Sequence, residues 1–268
     1  MGVLNRTPDS FSDGGRYDND SDAIAAAEKM LSDGAAVIDV GAESTRPNAA
    51  PVAPAEQLAR LGATIPALHR LGAVVSIDTT SPEVAARAVD QGASIINTVD
   101  LRAADSLAVV AKRGGAMLAL MHSRGSMTAM PDFSRVDENA YGDVVREVVA
   151  EWSVAKDAAA RAGLAERDIL FDPGLGFHKS ARHSLELCRR LDEIVAAGFD
   201  VLVGPSRKSF LGVVTTDRGA AQPPPGERLG ATIAACLACA ARGAALLRVH
   251  DVAPVRQALA FDRAVRGA

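Results

Sequence analysis

"DGAAVIDV" (33–40), "QGASIINT" (91–98) and "RGAALLRV" (242–249) are three versions of one device. Each has a Gly that can take the left-handed conformation closing a helix, a small residue that can sit close to a sheet, then a short apolar run. Each run contains or reaches a polar side chain: Asp39, Asn97, Arg248. A helix stop that leads directly into a buried strand is the joint of a βα repeat.

Working outward, the same kind of run occurs eight times. The others are "MGVLN" (1–5), "VVSIDT" (74–79), "MLALMH" (117–122), "DILFDPG" (168–174) and "DVLVGPS" (200–206), and the copies at 35–42, 94–99 and 246–251 complete the set. Helical patterns lie between most of them. "SDAIAAAEKMLSDG" (21–34) predicts a helix with a Ser cap and a Gly stop, and "SPEVAARAVDQG" (81–92) one with Pro in its first turn. Eight strand–helix units predict a (β/α)8 TIM barrel, one α/β domain over residues 1–268. A doubly wound open sheet usually needs fewer strands, and no Gly-rich dinucleotide fingerprint follows the first strand.

The totals agree with a barrel. The chain has 268 residues, 48 % hydrophobic but only 4 % aromatic, so Ala, Val, Leu and Ile must build strands buried on both faces. A net charge of -4 gives no footprint for nucleic acid or an anionic membrane surface. With no long apolar run and no leader, a cytoplasmic protein is expected. Cys188, Cys236 and Cys239 are an odd set. The CxxC of the last two lies inside an Ala-rich helical run, which suits core thiols rather than a redox pair.

Barrel chemistry sits where strands end. The residues there are Asn5, Asp39, Glu43, Asp78, Asn97, His122, Asp172, Ser206, Lys208, Arg248 and His250. Asp78, Asn97 and Asp172 can bond a flat heterocycle bearing ring N–H and amino groups. Arg248 and His250, two apart on one strand, point to one side and with Asn5 suit a phosphate or pyrophosphate. "GPSRKSF" (204–210) adds Ser206, Arg207, Lys208 and Ser209. There is no Ser-His-Asp order, zinc-ligand spacing or Walker loop. The residues therefore predict an enzyme acting on a small aromatic heterocycle that carries phosphate.

The motifs "MGVLNRTPDSFSDGG", "DVGAESTRP", "SIDTTSPEVA", "SIINTV", "LMHSRG", "DPGLGFHK", "GPSRKSFLG" and "LRVHDV" run in order through essentially the whole chain. They resemble the dihydropteroate synthases of the pterin-binding family, the enzymes of folate biosynthesis that sulfonamides inhibit. The resemblance implies transfer of 6-hydroxymethyl-7,8-dihydropterin from its pyrophosphate to p-aminobenzoate. It implies catalytic roles for Asp78, Asp172 and Lys208, and a pterin site of Asp78, Asn97, Met121, Asp172, Phe177 and Lys208. Asn5, Arg248 and His250 correspond to the pyrophosphate site, with Asn5 the ligand of a Mg2+ cofactor. The p-aminobenzoate site corresponds to Phe11, Thr45, Arg46, Pro47, Phe177, Ser206 and Lys208. Small-molecule substrates and a homodimer packed through late helices, residues 230–241 included, are further implications. The loop from Asn5 to Gly15 would act as a lid, with Gly14 and Gly15 as hinges.

Three positions depart from the family pattern. Arg6 replaces a small apolar residue, Ala42 one Gly of a pair, and Thr98 the Asp that usually follows Asn97. Thr98 motivates an alternative, a pterin-binding paralogue with weak or no turnover. A methyl-transferring relative acting on a corrinoid protein is disfavoured by "SRKSF" and the first loop. Asp39 is left without an assigned role.

Overall fold

The computed structural model describes residues 1–7, 19–44, 50–124, 136–217 and 219–267. Phe11, Thr45, Arg46, Pro47 and the lid from Pro8 to Gly15 lie outside the described residues.

Eight parallel strands form a single sheet in chain order: β1 (Gly2–Asn5), β2 (Val37–Gly41), β3 (Val74–Asp78), β4 (Ile95–Thr98), β5 (Met117–Met121), β6 (Ile169–Asp172), β7 (Asp200–Val203) and β8 (Leu246–Leu247). A bridge between Gly2 and Val249 joins the last strand to the first. Val3 N donates to Val249 O at 3.1 Å, and Val249 N to Met1 O at 2.9 Å. This is the expected (β/α)8 barrel, with every strand where the apolar runs placed it. β8 is the exception in length. Its ladder is shorter than 246–251, although Arg248 N still donates to Val203 O at 2.9 Å.

The helices are α1 (Asp20–Ser32), α2 (Pro54–Leu61), α3 (Thr64–Arg70), α4 (Pro82–Asp90), α5 (Ala104–Gly114), α6 (Val144–Arg161), α7 (Ala181–Arg189), α8 (Leu191–Ala196), α9 (Ser209–Thr215), α10 (Leu229–Ala240) and α11 (Val252–Arg266). Ser81 caps α4 as expected, its side chain accepting from Val84 N. The cap of α1 is Asn19 rather than Ser21, because the Asn19 side chain reaches Asp22 N. The repeated joint has the predicted backbone: Gly34, Gly92 and Gly243 have φ of 95°, 109° and 91°. At Gly92 a Cβ would also stand 2.4 Å from the His69 ring, so both space and φ require Gly.

Strand alternation builds two cores. Leu4, Ile38, Val40, Ile77, Ile96, Leu118, Leu120, Phe171 and Val201 face the helices. Trp152 of α6 joins them, its ring 4.4 Å from that of Phe171 and its Nε1 donating to Leu120 O at 2.8 Å. Met1, Val37, Ile95, Ala119, Leu170 and Leu202 fill the lower barrel interior. Residues two further along β2, β4 and β6 point inward one layer higher, and these are Asp39, Asn97 and Asp172. The barrel is thus an apolar plug beneath a polar rim. Cys236 and Cys239 are buried within α10, as core residues. Among the described residues no helix is long and apolar enough to cross a membrane.

Candidate active site at the strand ends

Arg248 occupies the middle of the rim. Its Nε donates to Asp39 Oδ2 at 2.6 Å, and its Nη2 to Asp78 Oδ2 at 3.0 Å. Asn97 Nδ2 donates to the same Asp39 oxygen at 3.2 Å. Side chains from β2, β3, β4 and the end of β8 therefore meet around one guanidinium. Burial pushes the Asp78 carboxyl up to about 7. Arg248 opposes this, while the carboxylates of Asp39, Glu43 and Asp172 add to it.

Opposite them, Asp172 ends β6. Its Oδ1 accepts from Gly174 N at 2.7 Å, and burial raises its pKa against the pull of Lys208. Gly174 is required here, since its φ is 67° and a Cβ would lie 2.0 Å from His122 O. Lys208 Nζ stands 4.5 Å over the Phe177 ring and donates to Leu175 O at 2.6 Å. Burial lowers its pKa to about 8, with Asp172 as the counterweight. Met121 and Phe177 pack together with Val99 in a small apolar cluster, giving the polar rim one greasy wall.

The phosphate-side candidates also converge. Ser206 Oγ accepts from His250 N at 3.2 Å and lies 3.0 Å from His250 Nδ1. The hydroxyl hydrogen can be directed to Nδ1, a pairing that would leave the ring proton on Nε2. Burial, with Arg248 and Arg207 nearby, lowers the His250 pKa to about 3, leaving a neutral donor. Ser206 is thus engaged in orienting His250. Asn5, half-buried at the end of β1, makes no side-chain hydrogen bond to another described residue. Its amide oxygen is a hard donor of the kind that suits a Mg2+ held mainly by phosphate oxygens and waters.

Other rim candidates point elsewhere. Glu43 accepts from Val52 N at 2.9 Å and Gln57 Nε2 at 3.3 Å, stitching the chain before α2. His122 follows inward-facing Met121 and turns outward, fully buried against α6, where Nε2 meets Glu151 at 3.0 Å. Arg6 also faces away from the barrel. Its Nε donates to Arg60 O at 2.7 Å, its Nη1 to Asn19 O at 2.6 Å and its Nη2 to Asp20 at 2.7 Å. It is a latch between β1, α1 and α2, not a second cation for phosphate. Thr98 shares the outward face of Ile96, is fully buried and accepts from Asp100 N at 3.3 Å. Ala42 packs into the outer core, where its methyl is accommodated.

Sequence reasoning missed Lys179. It is fully buried, with Nζ 2.9 Å from His122 Nδ1, 3.2 Å from His122 O and 3.1 Å from Phe177 O. Burial lowers its pKa well below the usual amine range. His122 cannot accept from a carboxylate, so its Nε2 carries the ring proton toward Glu151; burial lowers its pKa to about 4, and the bare Nδ1 accepts from Lys179 Nζ. Glu151, held to about 2 chiefly by His122 and also by Arg124, closes the chain of charges. The signal was the Lys ending "DPGLGFHK", which reads from sequence as a surface residue after a turn.

A family profile described as pterin binding enzyme matches residues 1–250. The dihydropteroate synthase of Synechocystis sp. is 40 % identical over 259 residues, covering 96 % of this chain and 86 % of that protein. The structure of Yersinia pestis dihydropteroate synthase with a sulfonamide drug complex superposes with a TM-score of 0.91 at 34 % identity, covering 100 % of this chain and 94 % of that one. Burkholderia cenocepacia dihydropteroate synthase complexed with 7,8-dihydropteroate gives 0.85 at 36 % identity, covering 100 % and 91 %.

Proposed function

The chain belongs to the pterin-binding enzyme family and, within it, to the dihydropteroate synthases, and from that premise we propose how its own residues divide the work. It is a transferase that joins 6-hydroxymethyl-7,8-dihydropterin pyrophosphate to p-aminobenzoate, giving 7,8-dihydropteroate and pyrophosphate. In balance, the pterin methylene loses its C–O bond to pyrophosphate, gains a C–N bond to the aniline nitrogen, and the nitrogen gives up a proton.

One observation carries the division of roles: Asp78, Asn97 and Asp172 converge on a rim that also holds Lys208 and Arg248. The two carboxylates and the amide accept from pterin N–H groups, and Lys208 donates to the ring carbonyl. Met121 and Phe177 hold the ring faces and exclude water from a carbon that becomes electron-poor as the C–O bond lengthens. Arg248 Nη1, which bonds no described residue, and the Nε2–H of His250 face the leaving pyrophosphate. Mg2+ held at Asn5 would neutralise charge growing on the pyrophosphate oxygens. Phe177, Lys208 and Ser206, through His250, border the p-aminobenzoate side, which Phe11, Thr45, Arg46 and Pro47 complete.

Thr98 faces the helices rather than the pocket, so nothing in the site favours a paralogue without turnover. The reading extends to a homodimer in the cytoplasm. Phe261 and Val265 of α11, each 71 % exposed and one turn apart, support a partner surface on the late helices. The unpaired buried thiols suit a reducing compartment. Pyrophosphate release should require both substrates and Mg2+, and release with the pterin substrate alone would overturn the transferase reading.

A further inference from the structure

Asp39 has no place in the division of labour above. It is fully buried on β2, two residues before the strand ends at Gly41, so it lies beneath Asp78, which pairs with Gly41 in the β2–β3 register. Its Oδ2 takes two donors, Asn97 Nδ2 and Arg248 Nε. Its Oδ1 has no partner among the described residues. Nor does the hydroxyl of Ser76, its cross-strand neighbour in the β2–β3 register.

That arrangement is poor for stability. A buried oxygen without a donor keeps its desolvation cost, and Arg248 already has Asp78 for charge balance. It is well made for orientation. A carboxylate bound to arginine only accepts, so Asn97 must turn its NH2 toward Asp39 and its carbonyl the other way. The amide of Asn97 is otherwise free to present either end.

We propose that Asp39 is a positioning residue that sets the hydrogen-bond polarity of the pocket: it makes Asn97 an acceptor and fixes the plane of Arg248. The inference rests on the reading of this site as a pterin pocket. With Asp78 and Asp172, the Asn97 carbonyl gives three acceptors, a pattern that selects a ring edge rich in N–H donors and rejects isosteres that present ring-nitrogen lone pairs there.

Asp39→Asn is near-isosteric and removes the rule. The introduced amide could donate to the Asn97 carbonyl and let the Asn97 side chain turn over. Calorimetry with 6-hydroxymethyl-7,8-dihydropterin should show Kd rising roughly tenfold or more. The KM for p-aminobenzoate at saturating pterin substrate should stay within about twofold, and Tm within a few degrees. The exchange variant Asp39→Asn/Asn97→Asp puts an obligatory acceptor at position 97 and should recover most of the lost affinity. Unchanged pterin affinity in Asp39→Asn, equal loss for both substrates, or no recovery in the exchange variant would overturn the proposal. If the variants do not fold, wild-type protein labelled with 15N-asparagine decides. The Asn97 NH2 protons should exchange slowly with solvent before pterin binds as well as after, and fast exchange in the free protein would count against Asp39. Failure of the wild type to bind pterin at all would instead sink the reading of the pocket.

Discussion

Thr98 stands where a family Asp is expected, and the obvious repair is Thr98→Asp. The structure predicts that this fails. The side chain faces the apolar helical layer, fully buried, where a new carboxylate loses its hydration. The expected outcome is no gain in kcat and a stability loss of about 3 kcal/mol or more, read by denaturant melts. Lys208→Ala and Asp172→Ala act in the pocket itself. Each should lower kcat/KM by several kcal/mol of transition-state stabilisation, on the order of a hundredfold or more, with near-normal rates refuting the site. Asp78 carries a pH signature. Its carboxyl is raised from 3.8 to about 7, and the ionised form accepts from ligand N–H groups through both oxygens and more strongly than the acid does. Pterin binding should therefore strengthen as pH rises through about 7, and Asp78→Asn should abolish that dependence. The sign for stability is opposite. The folded state holds the proton that the unfolded state gives up between pH 3.8 and about 7, so this group erodes stability as pH rises through that window. Sequence placed Asp78, Asn97, Asp172 and Lys208 correctly at the rim because a residue at a strand end is addressed by period alone. It could not tell whether His122 turns inward or outward, or see what Arg6 touches, since those depend on one residue of register and on helices far away in the chain.

At the level of elements, the turn from β6 into α7 carries Phe177 to the pocket, and its support comes from behind. Lys179 holds the carbonyls of His122 and Phe177 together, while His122, Glu151 and Arg124 tie that knot to α6. Lys179→Met keeps the apolar stem and removes the three donors. The orphaned carbonyls should lower Tm by several degrees and raise the pterin KM about tenfold or more, with p-aminobenzoate KM less affected. Equal KM values for wild type and variant would show that the turn holds itself. The boundaries of β1 to β7 and the cap of α4 were readable because Gly, Pro and Ser act locally. The knot was not, because it joins residues from separate stretches and uses a lysine, a residue type that sequence reasoning assigns to the surface.

For the whole molecule, the barrel followed from counting joints, but the assembly did not, since an exposed helix face leaves no mark in strand periodicity. Phe261 and Val265 predict a self-associating surface, and Phe261→Asp should convert a dimer to a monomer in light scattering without changing the β-sheet signal. A wild-type monomer at micromolar concentration would remove the surface from consideration. Arg6 has a consequence at this scale too. One guanidinium grips the chain just as it leaves β1 and again at Asn19, where it enters α1, with Arg60 as the shared post. The exit of β1 and the entry of α1 are thereby tied to each other through the outer layer, so the strand end that carries Asn5 keeps its place by contacts made outside the pocket.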